Sequence, residues 1–359
     1  MEKNDSSPFW YDDKHELSTG CATCPDLALC GGLRIETQPE NCMCFCQSNS
    51  PERCKTVCKC NTKHFVARLR EVDGWELDLP KTKCKPIVKF PSYTPMIRSN
   101  SKRSQRLVVD SIAIPLDRII SRKTGSLSVK SREDLCNRVL VDPSARIILS
   151  GVHIDHFLEH YWEKAREQNI AAELAKLQID LVTTPNFSVF CDVPRWDNFH
   201  NMKRIAICWY ELAQAGLPVA LHINGRTDRD FERWTEFLVE HKEVTILSFE
   251  FQTGPKCPGR ATWYVKKLVA LANSIDRPIS LIIHAGINHL QHLQEAFQRV
   301  TLVDSTPYLK ASNYKQMKTS GDCRVHWLRA DQKISRDSLL KHNIRAYGEW
   351  VNRKNSRAA

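Results

Sequence analysis

Nine of the fifteen cysteines fall between positions 21 and 60, at Cys21, Cys24, Cys30, Cys42, Cys44, Cys46, Cys54, Cys58 and Cys60. Six of their eight spacings are of one to five residues, which brings many thiolates within the reach of one metal centre through short turns that need no apolar core. With His64 nearby, two four-ligand centres could be filled, either Zn2+ sites or an iron–sulfur cluster. The Gly-Gly pair after Cys30 lets backbone approach a sulfur closely. The N-terminus carries acidic residues where a secretion signal needs basic ones, with no apolar run after it, so a reducing cytoplasm is the expected compartment. There cysteines serve metals more often than disulfides.

A second set of reactive groups recurs at the ends of short apolar runs. Asn186 lies late in DLVTTPNFSVF and Asp192 just after it, His222 and Asn224 lie late in LPVALHING, Glu250 lies late in VTILSFEF with Gln252 just beyond, His284 lies late in PISLIIHAG, and Asp304 and Ser305 close VTLVDST. Groups at such positions converge when the runs are parallel strands whose C-terminal ends share one face.

The elements that must position them follow from periodicity. From Ala145 onward, β-branched runs alternate with longer segments of helical period, the pattern of βα units around a parallel sheet. Six runs are visible there, beginning with ARIILSG, and two more are read from RLVVDSIAI and CNRVLVD. The total of eight predicts a (β/α)8 TIM-type barrel. The expected organisation is a Cys-rich metal-binding module over 1–80, a basic linker over 81–110, the barrel over 111–315 and a basic extension over 316–359. Between Lys81 and Arg106 there are eight Lys or Arg and no Asp or Glu, which makes that segment a candidate for phosphate contacts.

The segment LIIHAGINHLQHLQEAFQRVTLVDSTPYLKAS resembles the end of the barrel in the tRNA-guanine transglycosylase superfamily, including its DNA-modifying deazapurine members. TTPNFSVFCDVPRWDN, ALHINGRTD and SFEFQTG are similar to the strand ends that hold the purine there, so the likeness spans roughly residues 145–315. The resemblance implies base exchange that inserts a 7-deazapurine into DNA or tRNA, with Asp304 at the nucleophile's position and Asp192 as a second catalytic carboxylate. It further implies a base pocket drawn from Asn186, His222, Asn224, Glu250, Gln252, His284, Gly286 and Ser305, phosphate contacts from Arg195, Arg226 and Arg260, and partner proteins of a modification or defence system. The chemistry suits these groups, since a carboxylate can capture C1′ while a second group manages protons on the two bases. The chain departs from the family in its metal ligands. The usual C-x-C-x2-C and distant His after the barrel are replaced by Cys323 and His326 alone, and the cysteine cluster lies before the barrel.

Two other readings use the same residues. A metal-dependent barrel hydrolase of DNase or amidohydrolase type would use His153, Asp155, His222, His284 and Asp304. A nucleic-acid-binding metal protein without catalysis would use only the cysteines and the basic surface. The formal charge of +11 fits a polyanionic partner in every case. P-loop, dinucleotide and G-x-S-x-G motifs are missing, and no apolar window is long enough to span a bilayer.

Overall fold

A computed structural model describes residues 65–99, 103–190, 193, 195–252, 258–320, 324–331 and 333–356. The nine clustered cysteines, His64, Asp192 and Cys323 lie outside the described residues, as does the side chain of Arg195.

Eight parallel strands follow one another around the molecule: β1 (Tyr93–Pro95), β2 (Ser111–Pro115), β3 (Arg146–Ser150), β4 (Leu181–Thr183), β5 (Val219–His222), β6 (Ile246–Glu250), β7 (Ser280–His284) and β8 (Arg299–Asp304). β8 pairs back onto β1, with Tyr93 opposite Leu302 and Pro95 opposite Asp304. A bridge between Met96 and Ala113, with the Ile97 amide donating to the Ala113 carbonyl at 2.9 Å, joins β1 to β2 and nearly closes the barrel. This is an α/β, TIM-like barrel.

The six runs from Ala145 onward and RLVVDSIAI supply seven strands. CNRVLVD does not supply the eighth. Its first half lies in helix α2 (Arg132–Val139), whose start is fixed by the Ser131 hydroxyl accepting from the Asp134 amide at 3.1 Å, and Leu140 ends it in the left-handed region at φ 50°. An N-cap with acidic residues in the first turn outweighs the β-branched residues that follow. The missing strand is β1, only three residues long and inside the basic segment 81–110. That segment also closes the floor of the barrel: Phe90 and Ile87 pack on Met96, Ala113, Ile148, Leu181, Ala220 and Val303. Lys85 and Lys89, which flank Ile87 and Phe90, therefore border the end opposite the strands' C-termini.

Helices α3 (Asp155–Lys164), α4 (Ile170–Lys176), α5 (Arg195–Gln214), α6 (Asp228–Glu240), α7 (Pro258–Asn273), α8 (Leu290–Ala296) and α9 (Thr306–Ser312) follow β3 to β8 and form the outer layer. α6 shows the sequence logic. A capping box between Thr227 and Asp230 starts it, and Phe231, Trp234, Phe237 and Leu238 recur at helical spacing and are buried, worth roughly 2 kcal/mol each. After α9, a hairpin of β9 (Lys315–Thr319) and β10 (Val325–Arg329) leads to α10 (Arg336–Ser356), which returns to β1. Among the described residues, no helix is long and apolar enough to cross a membrane.

Helix α1 (Phe65–Glu71) is fastened to α5 by charged groups. Arg68 pairs with Asp197 in the first turn of α5, and the Glu71 carboxylate takes Trp162 Nε1 and His200 Nε2, each at 2.8 Å. The His200 bond leads the effects that pull the Glu71 pKa down to about 2. Since α5 starts beyond β4, the described chain begins beside the C-terminal mouth of the barrel.

Candidate active site

Strand alternation decides which groups face the lumen. Ala113, Ile148, Leu181, Ala220, Ile246, Ile282 and Val303 form one apolar layer inside the barrel. Two residues further along their strands come Ser150, Thr183, His222, Ser248 and His284, all essentially without solvent exposure. A layer of hydroxyls and imidazoles thus lies directly above an apolar one. Glu250 and Asn224 come next towards the mouth.

The His222 ring is held by Ser248, with Nδ1 3.2 Å from Oγ, and its backbone amide donates to Thr184 Oγ1 at 2.8 Å. Neither ring nitrogen of His284 has a hydrogen-bond partner among the described residues, although the residue is fully buried. Such an unsatisfied polar group costs about 1–3 kcal/mol. Burial pushes both imidazoles down to about 3, helped at His222 by its neighbour His284, so both are neutral at pH 7. Glu250 stands in register with His284 on the adjacent strand. Its carboxylate accepts from the Gln252 amide at 2.9 Å.

Around the rim the other polar groups are tied to one another. His153 Nε2 lies 3.3 Å from Asp117, whose carboxylate also meets Arg122 at 3.0 Å. These contacts, led by the His153 hydrogen bond among the attractions, outweigh burial and lower the Asp117 pKa. Asn186 accepts from the His153 amide at 2.9 Å, and Asn224 donates to the Phe187 carbonyl at 3.0 Å. Arg226 donates to the Val189 carbonyl and to the Tyr264 hydroxyl, both at 2.7 Å, so its guanidinium braces the loop after β4. Gly286 adopts φ 79°, and a Cβ there would strike Phe251 at 2.5 Å, so a glycine is required by both conformation and space. Gln252 is exposed, and Ser305 is buried at the start of α9.

Asp304 lies on the other face of its strand. Val303 belongs to the lumen layer, so Asp304 faces outward, where Oδ2 accepts from the Tyr347 hydroxyl of α10 and Oδ1 from the Thr306 amide, each at 2.7 Å. Tyr93 is fully buried beside it, and burial followed by the Asp304 charge drives that phenol well above its ordinary pKa. Asp304 ties β8 to α9 and α10. This carboxylate faces a helix.

His222, Glu250 and His284, with Asn224 above them, are therefore brought together, whereas Asp304 is not. Asp117 was missed by the sequence reading, although its place two residues after SIAIP marks it as another strand-end carboxylate. Among the described residues, no three His, Cys, Asp or Glu side chains gather closely enough to hold a metal ion. No protein-family model matches the chain, and no curated protein matches it.

Proposed function

We propose that this chain is a barrel enzyme that exchanges a base in nucleic acid, inserting a 7-deazapurine into DNA or tRNA, and that Glu250 rather than Asp304 is its nucleophile. The reading rests on one observation above others. Glu250 stands on the lumen face beside a fully buried imidazole, His284, whose ring nitrogens have no hydrogen-bond partner among the described residues. In the exchange, a Glu250 oxygen bonds to C1′ as the C1′–N bond to the outgoing base breaks. The base leaves with the bonding pair and takes up a proton. A ring nitrogen of the incoming deazapurine then attacks C1′, loses its proton and frees the carboxylate. The neutral imidazole layer supplies donors and acceptors without adding positive charge that would hold Glu250 in its resting state. The Cys-rich segment is proposed to bind Zn2+ or an iron–sulfur cluster and to support nucleic-acid binding.

The test is transfer of a radiolabelled 7-deazapurine into bulk tRNA and into DNA by the full-length protein, purified without oxygen. Incorporation into one acceptor is expected, falling by about a thousandfold or more in Glu250→Gln. Undiminished incorporation in that variant, or none into either acceptor, removes the reading. The latter outcome favours a protein that binds nucleic acid without catalysis.

A further inference from the structure

The positive charge of the chain is concentrated beyond the barrel's last strand. Residues 306–359 contain twelve Lys or Arg against four Asp or Glu, a surplus of eight out of the whole chain's eleven. One of those four acids, Asp337, is consumed internally: it receives Arg103 Nε at 3.1 Å and the Ser104 amide at 2.8 Å.

The hairpin then sets like charges against each other. Lys315 is the cross-strand partner of Arg329. Both side chains are exposed. Cationic groups directly opposite one another destabilise a two-stranded ribbon. The register is fixed by other contacts: Asn343 of α10 accepts from the Met317 amide at 2.9 Å and donates to the Lys315 carbonyl at 2.8 Å. Trp327 lies on the same face of β10 as Arg329, with the Lys310 ammonium 5.7 Å from its ring centre, so a flat aromatic surface is set among cations. A groove of about 540 Å³ beside α10, with Lys341, His342 and Arg345 along one wall, adjoins the hairpin where His342 Nε2 meets the Met317 carbonyl at 3.0 Å.

We infer that the β9–β10 hairpin and the adjoining face of α10 are the surface that grips the phosphate backbone of a nucleic acid, the like-charge couple Lys315–Arg329 being compensated by phosphates in the complex. This rests on the nucleic-acid side of the proposed function, while assigning the phosphate contacts to cations of the hairpin and α10 rather than to those of residues 81–106. Lysine and arginine contacts to phosphate release condensed counterions, so the binding is steeply dependent on salt.

The experiment measures fluorescence anisotropy of a labelled DNA duplex and of labelled tRNA against the full chain across a salt series, alongside thermal unfolding. The double variant Lys315→Ala, Arg329→Ala is expected to bind several-fold more weakly at physiological salt. Its plot of log affinity against log salt should be shallower by about two, while its melting temperature is unchanged or higher because the repulsion is gone. Lys315→Arg is expected to bind as the wild type does. Unchanged affinity and slope in the double variant overturn the inference, as does binding to phosphatidylserine vesicles with none to either nucleic acid. Hairpin-dependent binding without base transfer upholds this surface and rejects the exchange reaction. Base transfer with binding indifferent to the hairpin does the reverse.

Discussion

Asp304 and His284 show how one position along a strand changes a residue's role. The alternation that places Val303 in the lumen turns the Asp304 carboxylate to Tyr347. Tyr347→Phe is expected to cost about 2 kcal/mol in urea unfolding, the worth of a hydrogen bond to a charged group, with base transfer intact. His222 and His284 carry a pH signature. Their pKa values in the fold are about 3, below the ordinary 6.5, so the unfolded chain takes up protons that the fold refuses. Their contribution is complete above pH 6.5 and declines as pH falls towards 3, by roughly 1 kcal/mol per pH unit for each imidazole. Urea midpoints between pH 7 and pH 4 should show this fall, and His284→Leu should flatten it while leaving stability at pH 7 equal or greater. An unchanged pH slope in that variant would contradict the neutral burial of His284.

At the scale of elements, seven of the eight strands could be read from β-branched runs, because parallel strands covered on both faces are apolar almost throughout. The same property hid the site. When both faces of VTLVD are buried, the sequence does not tell which parity faces the lumen, and a shift of one residue exchanges Val303 for Asp304. β1 escaped because three residues between prolines and lysines carry no periodicity. The polar clamp on α5 was equally invisible, since Asp197, His200, Lys203 and Arg204 read as one exposed face of a helix yet are all buried. Arg204 shows the stakes: it meets both oxygens of Glu159 at 2.7 and 2.8 Å and lies 4.0 Å from the Phe187 ring centre. Arg204→Ala should cost about 3 kcal/mol or more in urea unfolding, because it leaves Glu159 unpaired and opens space beside Phe187. A loss under about 1 kcal/mol would place the pair among surface bridges of little worth.

Across the whole molecule, the proposed chemistry, the proposed metal ligands and the positive charge fall in different parts of the chain. The lumen supplies a carboxylate and neutral imidazoles, the segment 21–60 supplies thiols, and residues 306–359 supply most of the positive charge. Protein purified without oxygen is expected to carry about one or two zinc ions or an iron–sulfur cluster. Zinc would give a colourless solution and a cluster a brown one. Metal-free protein whose thiols all react with a cysteine reagent would contradict a metal role for the nine cysteines. The central claim is that base exchange runs on the lumen face at Glu250, and the most direct measurement is 7-deazapurine transfer by the wild type, Glu250→Gln and Asp304→Asn side by side. Transfer by the wild type and Asp304→Asn, but not by Glu250→Gln, is the predicted result. Transfer by Glu250→Gln and none by Asp304→Asn would contradict it.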